Sequence, residues 1–260
     1  MRRDNIFWGG LLILFGVLFL LQAQGLINNV FRFFWPLILI LVGGWMVANV
    51  IWKPSLAAGE TFSIALGTAK SVKYKFAHGA AQIDITGGAP SGQALVGSSA
   101  VGMNHHDHLD GDRLSVSIEA GPSLLPFIGP VDGVWRYQIT QAVPVTLDID
   151  AGASRLDVDL KDVLATRIAL QTGASSVNMT LPAHGVSLLD VAAGAASINL
   201  RIPDATAARI RVKEGVSALN VDLNRFPQLD SGIYQSPNFD TTPDRAEITV
   251  QAGVGSITVK

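Results

Sequence analysis

Apolar and polar residues alternate along much of this chain, and the alternation itself repeats. Gly152, Gly173, Gly194 and Gly215 stand 21 residues apart and open the segments GASRLDVDL, GASSVNMTL, GAASINLRI and GVSALNVDL, with looser copies at Gly79 (GAAQIDI) and Gly253 (GVGSITV). The fourth and sixth residues after each glycine are apolar: Ile83 and Ile85, Leu156 and Val158, Val177 and Met179, Ile198 and Leu200, Leu219 and Val221, Ile257 and Val259. Five and three residues before each glycine the alternation recurs, as in Tyr74 and Phe76, Leu147 and Ile149, Ile168 and Leu170, or Ile248 and Val250. Period two means strands with one buried and one wet face, so each unit reads as two short strands joined at a corner of glycine and small residues, where a bulky side chain would obstruct a tight bend.

A fixed repeat of this length marks a stacked array in which one unit cannot cover its own apolar face. The expected fold is all-β, a parallel β-solenoid with one coil of about 21 residues per repeat. An antiparallel sandwich of hairpins satisfies the same alternation, although it does not require a constant repeat length. Coils stack roughly 4.8 Å apart, so equivalent positions fall into columns. Asp157, Asn178, Asn199 and Asn220 are expected to form a polar ladder. Amide stacking explains it better than a cation site, because three of the four are uncharged and hard cations favour carboxylates.

The first residues have another pattern. Residues 6 to 27 and 33 to 52 are two apolar runs separated by Asn28 and Asn29, each close to the ~20 helical residues needed to span a bilayer. Trp8, Trp35 and Trp52 lie near the run ends, as interfacial aromatics do, and Pro36 stands near the start of the second run, where a helix accepts it. Residues 1–53 are therefore read as a transmembrane helical hairpin, 54–134 as irregular first coils of the β domain, and 135–260 as regular coils with an insertion at about 225–245. Arg2, Arg3 and Lys53 flank the hairpin against Arg32 in its turn, which places both termini and the β domain in the cytoplasm by the positive-inside rule. Gly9, Gly10, Gly16, Gly43 and Gly44 would permit close helix packing, within the hairpin or against a partner.

The net charge of -2 has no basic cluster behind it, which gives nucleic-acid binding no electrostatic support. The chain has no cysteine, so disulfides and thiol chemistry are excluded. His105, His106 and His108 are the one concentrated set of metal-ligand types, yet consecutive strand residues point in opposite directions and do not converge on one ion. His78 and His184 read as isolated turn residues. Known phosphate-binding, nucleophile-elbow and zinc-protease motifs are missing, so no enzyme and no cofactor are expected. The apolar, proline- and glycine-rich stretch 121–133 reads as a loop, either a flap over the first coil or a contact for a partner or membrane surface.

The stretch RRDNIFWGGLLILFGVLFLLQAQGLI followed by FWPLILILVGGWMV resembles the transmembrane hairpin of LiaI- and LiaF-like bacterial membrane proteins. The later half, from Trp135-Arg136-Tyr137 through TGASSVNMTLP, AGAASINLRIP, YQSPNFD and GVGSITV, is similar to the toast-rack family and to the C-terminal domain of LiaF-like proteins. The resemblance implies a β-solenoid-like domain on an anchor in the bacterial cell membrane. It further implies a regulatory role in the cell-envelope stress response, with the lipid bilayer and a membrane protein, such as a sensor histidine kinase, as partners. A self-assembling scaffold, and so a homo-oligomer, is one alternative reading. An outward-facing adhesin or glycan-binding domain is the other.

Overall fold

The computed structural model describes Gln24 and residues 60–99, 103–120, 134–213 and 218–260. The two apolar runs with Gly9, Gly10, Gly16, Gly43 and Gly44, the loop 121–133 and the corner glycine Gly215 lie outside the described residues. Among the described residues no helix is long and apolar enough to cross a membrane. The chain divides into two units, Met1–Ser55 and Leu56–Lys260, and every described strand belongs to the second.

The alternating pattern is realised as β1 (Glu60–Ala65), β2 (Ser71–Gly87), β3 (Gln93–Ser99), β4 (Met103–Asp110), β5 (Arg113–Ala120), β6 (Val134–Ile139) and β7 (Val145–Asp159). These are followed by β8 (Ala165–Thr180), β9 (Val186–Arg201), β10 (Ala207–Val212), β11 (Ala218–Val221), β12 (Gln228–Asp230), β13 (Ile233–Gln235) and β14 (Arg245–Val259). The corner glycine does not end a strand. In β7 the residues at 145, 147, 149 and 151 are buried, then those at 156 and 158, so the inward side changes phase across Gly152 while pairing continues on both sides. Each long strand thus has two arms, and the two short strands expected per repeat are the arms of one bent strand.

The long strands pair in parallel at equivalent positions: Leu147 with Ile168 and Ile168 with Leu189, each one 21-residue repeat apart, and Leu189 with Ile248, across the segment that contains β10 to β13. The repeats are therefore not joined as antiparallel hairpins. Segments between long strands close each unit inward with buried Leu160, Leu181 and Ile202. Their backbones stack as well, with the Leu160 amide donating to the Thr180 carbonyl at 3.0 Å and the Leu181 amide to that of Arg201 at 2.9 Å. Burial of each such aliphatic side chain is worth about 1.5–3 kcal/mol, and the stack supplies one contiguous core of them.

The layers do not follow chain order. β2 lies beside β7, and on its other side β5 pairs with its first arm and β6 with its second, making one split layer. At the other end β14, the last segment of the chain, lies between β9 and the split layer of β10 and β11. The layer order is thus β5/β6, β2, β7, β8, β9, β14, β10/β11. The inserted residues after β11, which contain β12 and β13, carry the chain past the end of the stack and bring Arg245 back beside Val186.

Both ends receive antiparallel strands. β4 lies on β5, β3 on β6 and β1 on β3, while β13 pairs with β10 and β12 with β13. The region 54–134 accordingly contributes, instead of successive coils, the bent strand β2, the β5 half of the split layer and the end strands β1, β3 and β4, while the other half, β6, opens the region assigned to the regular coils.

Candidate functional site

Stacking of the second arms builds a polar outer face. Asn178 Nδ2 donates to Asp157 Oδ1 at 2.7 Å, and Asn199 Nδ2 donates to Asn178 Oδ1 at 3.0 Å. Below Asp157 the column continues to Asp84, whose carboxylate lies 3.7 Å from Arg136 Nε. Above Asn199 comes Thr258, and only then Asn220. The ladder expected from the repeat is thus divided: Asp157, Asn178 and Asn199 are consecutive, and Asn220 is separated from them by Thr258, because β14 intervenes. A second column next to it runs Thr86, Asp159, Thr180, Arg201. Together with Lys260 the residues of the two columns from β2 to β14, without Asn220, line a groove of about 720 Å³. Its carboxylates, Asp84, Asp157 and Asp159, stand toward β2 and its cations, Arg201 and Lys260, toward β14. Such a face can offer hydrogen bonds and an ordered charge pattern to an extended partner.

Along the corner, Gly79, Gly152, Gly173, Gly194 and Gly253 form another column. A Cβ on Gly194 would stand 3.0 Å from the carbonyl oxygen of Gly173, and one on Gly253 3.0 Å from that of Gly194. No left-handed backbone is involved at these positions. At Gly152, Gly173, Gly194 and Gly253 glycine is required because the backbone of the adjacent layer occupies the side-chain position, whereas the sequence pattern suggests a steric limit on the bend. The groove over Gly152, Gly173, Gly194 and Gly253, about 580 Å³, is lined by these glycines, by Ala, Thr and Gln residues and by Asp150.

The histidine cluster is dispersed by strand geometry. His105, His106 and His108 are exposed on β4, which forms a hairpin with β5 through Gly111. His105 stacks on Phe62 of β1, with ring centroids 5.0 Å apart, while His106 and His108 face the opposite side. Among the described residues no three His, Asp or Glu side chains converge to hold a metal ion.

His78 is not a turn residue. It lies in β2 at the position equivalent to Ala151, Thr172 and Ala193, facing inward, and is only 4% exposed. Its Nε2 lies 2.9 Å from the Tyr137 hydroxyl, and its ring meets Trp135 edge-on at 5.0 Å. Burial pushes the imidazole down to about 4 and raises the Tyr137 phenol well above its ordinary value. Among the described residues His78 Nδ1 and Trp135 Nε1 are buried without a hydrogen-bond partner. The sequence contained a signal for this site: the residue immediately before each corner glycine continues the inward alternation, and His78 immediately precedes Gly79.

His184, the other single histidine, sits beside Asp244, 3.5 Å away across the loop that leads into β14. Asp244 also accepts a hydrogen bond from the Gly185 amide at 2.7 Å, and this contact above all holds its carboxyl below the usual range.

Two family models match the chain. Residues 53–187 match the N-terminal domain of toast-rack, and residues 6–47 match the LiaI-LiaF-like transmembrane region. No curated protein matches. Among solved structures the chain is similar to a "putative cell adhesion protein" from Clostridium sporogenes, at 17% identity and a TM-score of 0.69, over 78% of this chain and 98% of that one. A "putative adhesin" from Bacteroides fragilis aligns over 79% of this chain and 99% of that one, at 9% identity and a TM-score of 0.29. The likeness to the Clostridium protein is one of fold.

Proposed function

The chain belongs to the toast-rack family and carries a LiaI-LiaF-like transmembrane region, and from that premise we propose that it is a membrane-anchored, non-enzymatic regulator in the bacterial cell-envelope stress response. The observation that carries this reading is the succession of the two matches on one chain: a membrane segment ends at residue 47 and the toast-rack match begins at residue 53. In this reading the two apolar runs form a helical hairpin with both ends in the cytoplasm, and the β domain is a cytoplasmic β-solenoid. Its polar groove serves as an interaction surface, and a membrane protein such as a sensor histidine kinase is the partner.

Support for a binding role over a catalytic one comes from the chemistry of the faces. The groove carboxylates have neighbours that occupy them: Asp157 holds the Asn178 amide and Asp84 faces Arg136. Gly43 and Gly44 would give the second helix a close-packing surface for the partner's helices.

Two experiments test the reading. The parent is free of cysteine, so single cysteines at Asn28 and Lys161 can be probed in intact cells with an impermeant thiol reagent. Labelling at 28 alone is expected, and labelling at 161 alone overturns the cytoplasmic reading in favour of an envelope-facing binding domain. Replacing Gly43 or Gly44 by leucine is expected to abolish co-purification of the membrane partner with the β domain still folded; undiminished co-purification overturns the helix contact.

A further inference from the structure

Four strands form the outermost edges of the described sheet: β1, β4, β12 and β11. The first three are antiparallel additions, and of these β4 carries Asp107 and Asp110 and β12 carries Asp230. Charges on an edge are the ordinary way of discouraging another chain from pairing there. β11 differs on both counts. It belongs to the parallel stack itself, pairing with β14, and its residues Ala218, Leu219, Asn220 and Val221 carry no charge. The split layer at the opposite end has both of its strands covered, and β10 is covered by β13. Among the described residues nothing pairs with the outer side of β11.

Among the described residues the core beneath β11 has no covering layer. Leu219 and Val221 occupy the rows filled elsewhere by Leu156 and Val158, Val177 and Met179, or Ile257 and Val259, which are at most 3% exposed. Leu219 and Val221 are only partly buried.

We propose that the free edge of β11 pairs with the β11 edge of a second copy of this chain. An antiparallel pair about a two-fold axis through Asn220 sets Leu219 opposite Val221 of the second copy and Asn220 opposite Asn220. Directly opposite residues share a face, so the apolar rows meet each other and the two amides meet on the wet side, as Asn178 and Asn199 already do at 3.0 Å. Two identical uncharged edges meet without like-charge repulsion. Because the contact is isologous it closes at a dimer and does not propagate into a filament. The three residues that pair in each copy, Leu219, Asn220 and Val221, bury far less than the ~800 Å² per partner typical of a stable interface. The pairing therefore depends on a shared membrane tether to raise the local concentration of the two copies, a role for the segment that matches the LiaI-LiaF-like transmembrane region.

The test uses the full chain in native membranes, with the cysteine-free parent as background. Under mild oxidation Asn220→Cys is expected to give a disulfide-linked homodimer. Ala218→Cys is not, because its counterpart lies roughly 14 Å away in this register, and neither is His106→Cys on β4. Adding Leu219→Lys to Asn220→Cys is expected to remove the dimer. A lack of homodimer at 220, equal dimer at 218 or 106, or linkage of 220 to a different polypeptide overturns the proposal.

Discussion

The carbonyl oxygen of Gly152 lies 3.0 Å from the point that a Cβ on Gly173 would occupy. Real Cβ contacts are rarely that tight, and the atom on the other side is backbone held in two hydrogen-bonded layers. Gly173→Ala therefore has to displace a layer. A destabilisation of about 1–3 kcal/mol is expected, the usual cost of overpacking, read as a shift in the urea midpoint of the β domain. Gly152→Ala should cost more, because the Gly79 carbonyl approaches it more closely still. By contrast Gly79→Ala, with nothing within 4 Å of its Cβ position among the described residues, should be close to neutral.

Asn178 gives one amide hydrogen to Asp157 and accepts one from Asn199, both on an exposed face. Replacement by alanine should cost no more than about 1 kcal/mol, since exposed hydrogen bonds largely exchange for water. Asn178→Asp is the more informative change. It sets a carboxylate directly opposite Asp157, and like charges so placed are destabilising. Its midpoint should fall below that of the alanine variant at low salt and recover toward it at ~1 M salt, where screening is short-ranged.

The strands, their faces and the equivalence of the six glycine segments were legible in the sequence, because a period of two and a fixed spacing are direct consequences of pleat and repeat. Layer order was not. Spacing says that Ile257 is equivalent to Ile198 and Leu219, but not that it lies between them, since that depends on where the inserted residues lead the chain. The same crossing divides the ladder expected at Asn220. The reason for glycine at the corners was hidden for a related cause: the obstructing atom belongs to a neighbouring layer, so local sequence suggests a bend and only the register reveals the carbonyl. His78 was missed because a lone polar residue beside a glycine resembles a turn, although its place in the inward alternation marked it as buried.

Burial of His78 makes stability depend on pH in a defined window. Its folded value, about 4, lies below the unfolded value of 6.5, so between these limits the unfolded chain binds more protons than the folded one. Stability should be full above pH ~6.5, decline as pH falls toward ~4 and level off below, with a total loss on the order of 3 kcal/mol from this group. His78→Gln should flatten that part of the profile while leaving the carboxylate-driven loss at lower pH. A profile from urea melts that is identical in the two proteins between pH 4 and 6.5 would show that the imidazole is not buried in solution.

Removing the last segment of the chain provides the sharpest test of the layer order. In a stack that followed the sequence, the final strand would be an end layer, and its loss would fray one face. Here β14 is hydrogen-bonded along its length to β9 and, on its other side, to both β10 and β11, so the C-terminal residues form an interior layer. Deletion after Asp244 takes out the buried side chains Ala246, Ile248, Val250, Ala252, Ile257 and Val259 together. It also strands the β10/β11 layer, whose parallel partner is gone. The expected result is a β domain that no longer unfolds cooperatively, with residues 186–221 losing hydrogen-exchange protection and the β2, β7 and β8 layers retaining part of theirs. Deleting the β12–β13 hairpin with a short loop in its place removes only exposed or half-exposed strand residues at the edge, and should cost a few kcal/mol at most. If the truncated chain melts as sharply as the intact one, β14 is not an interior layer.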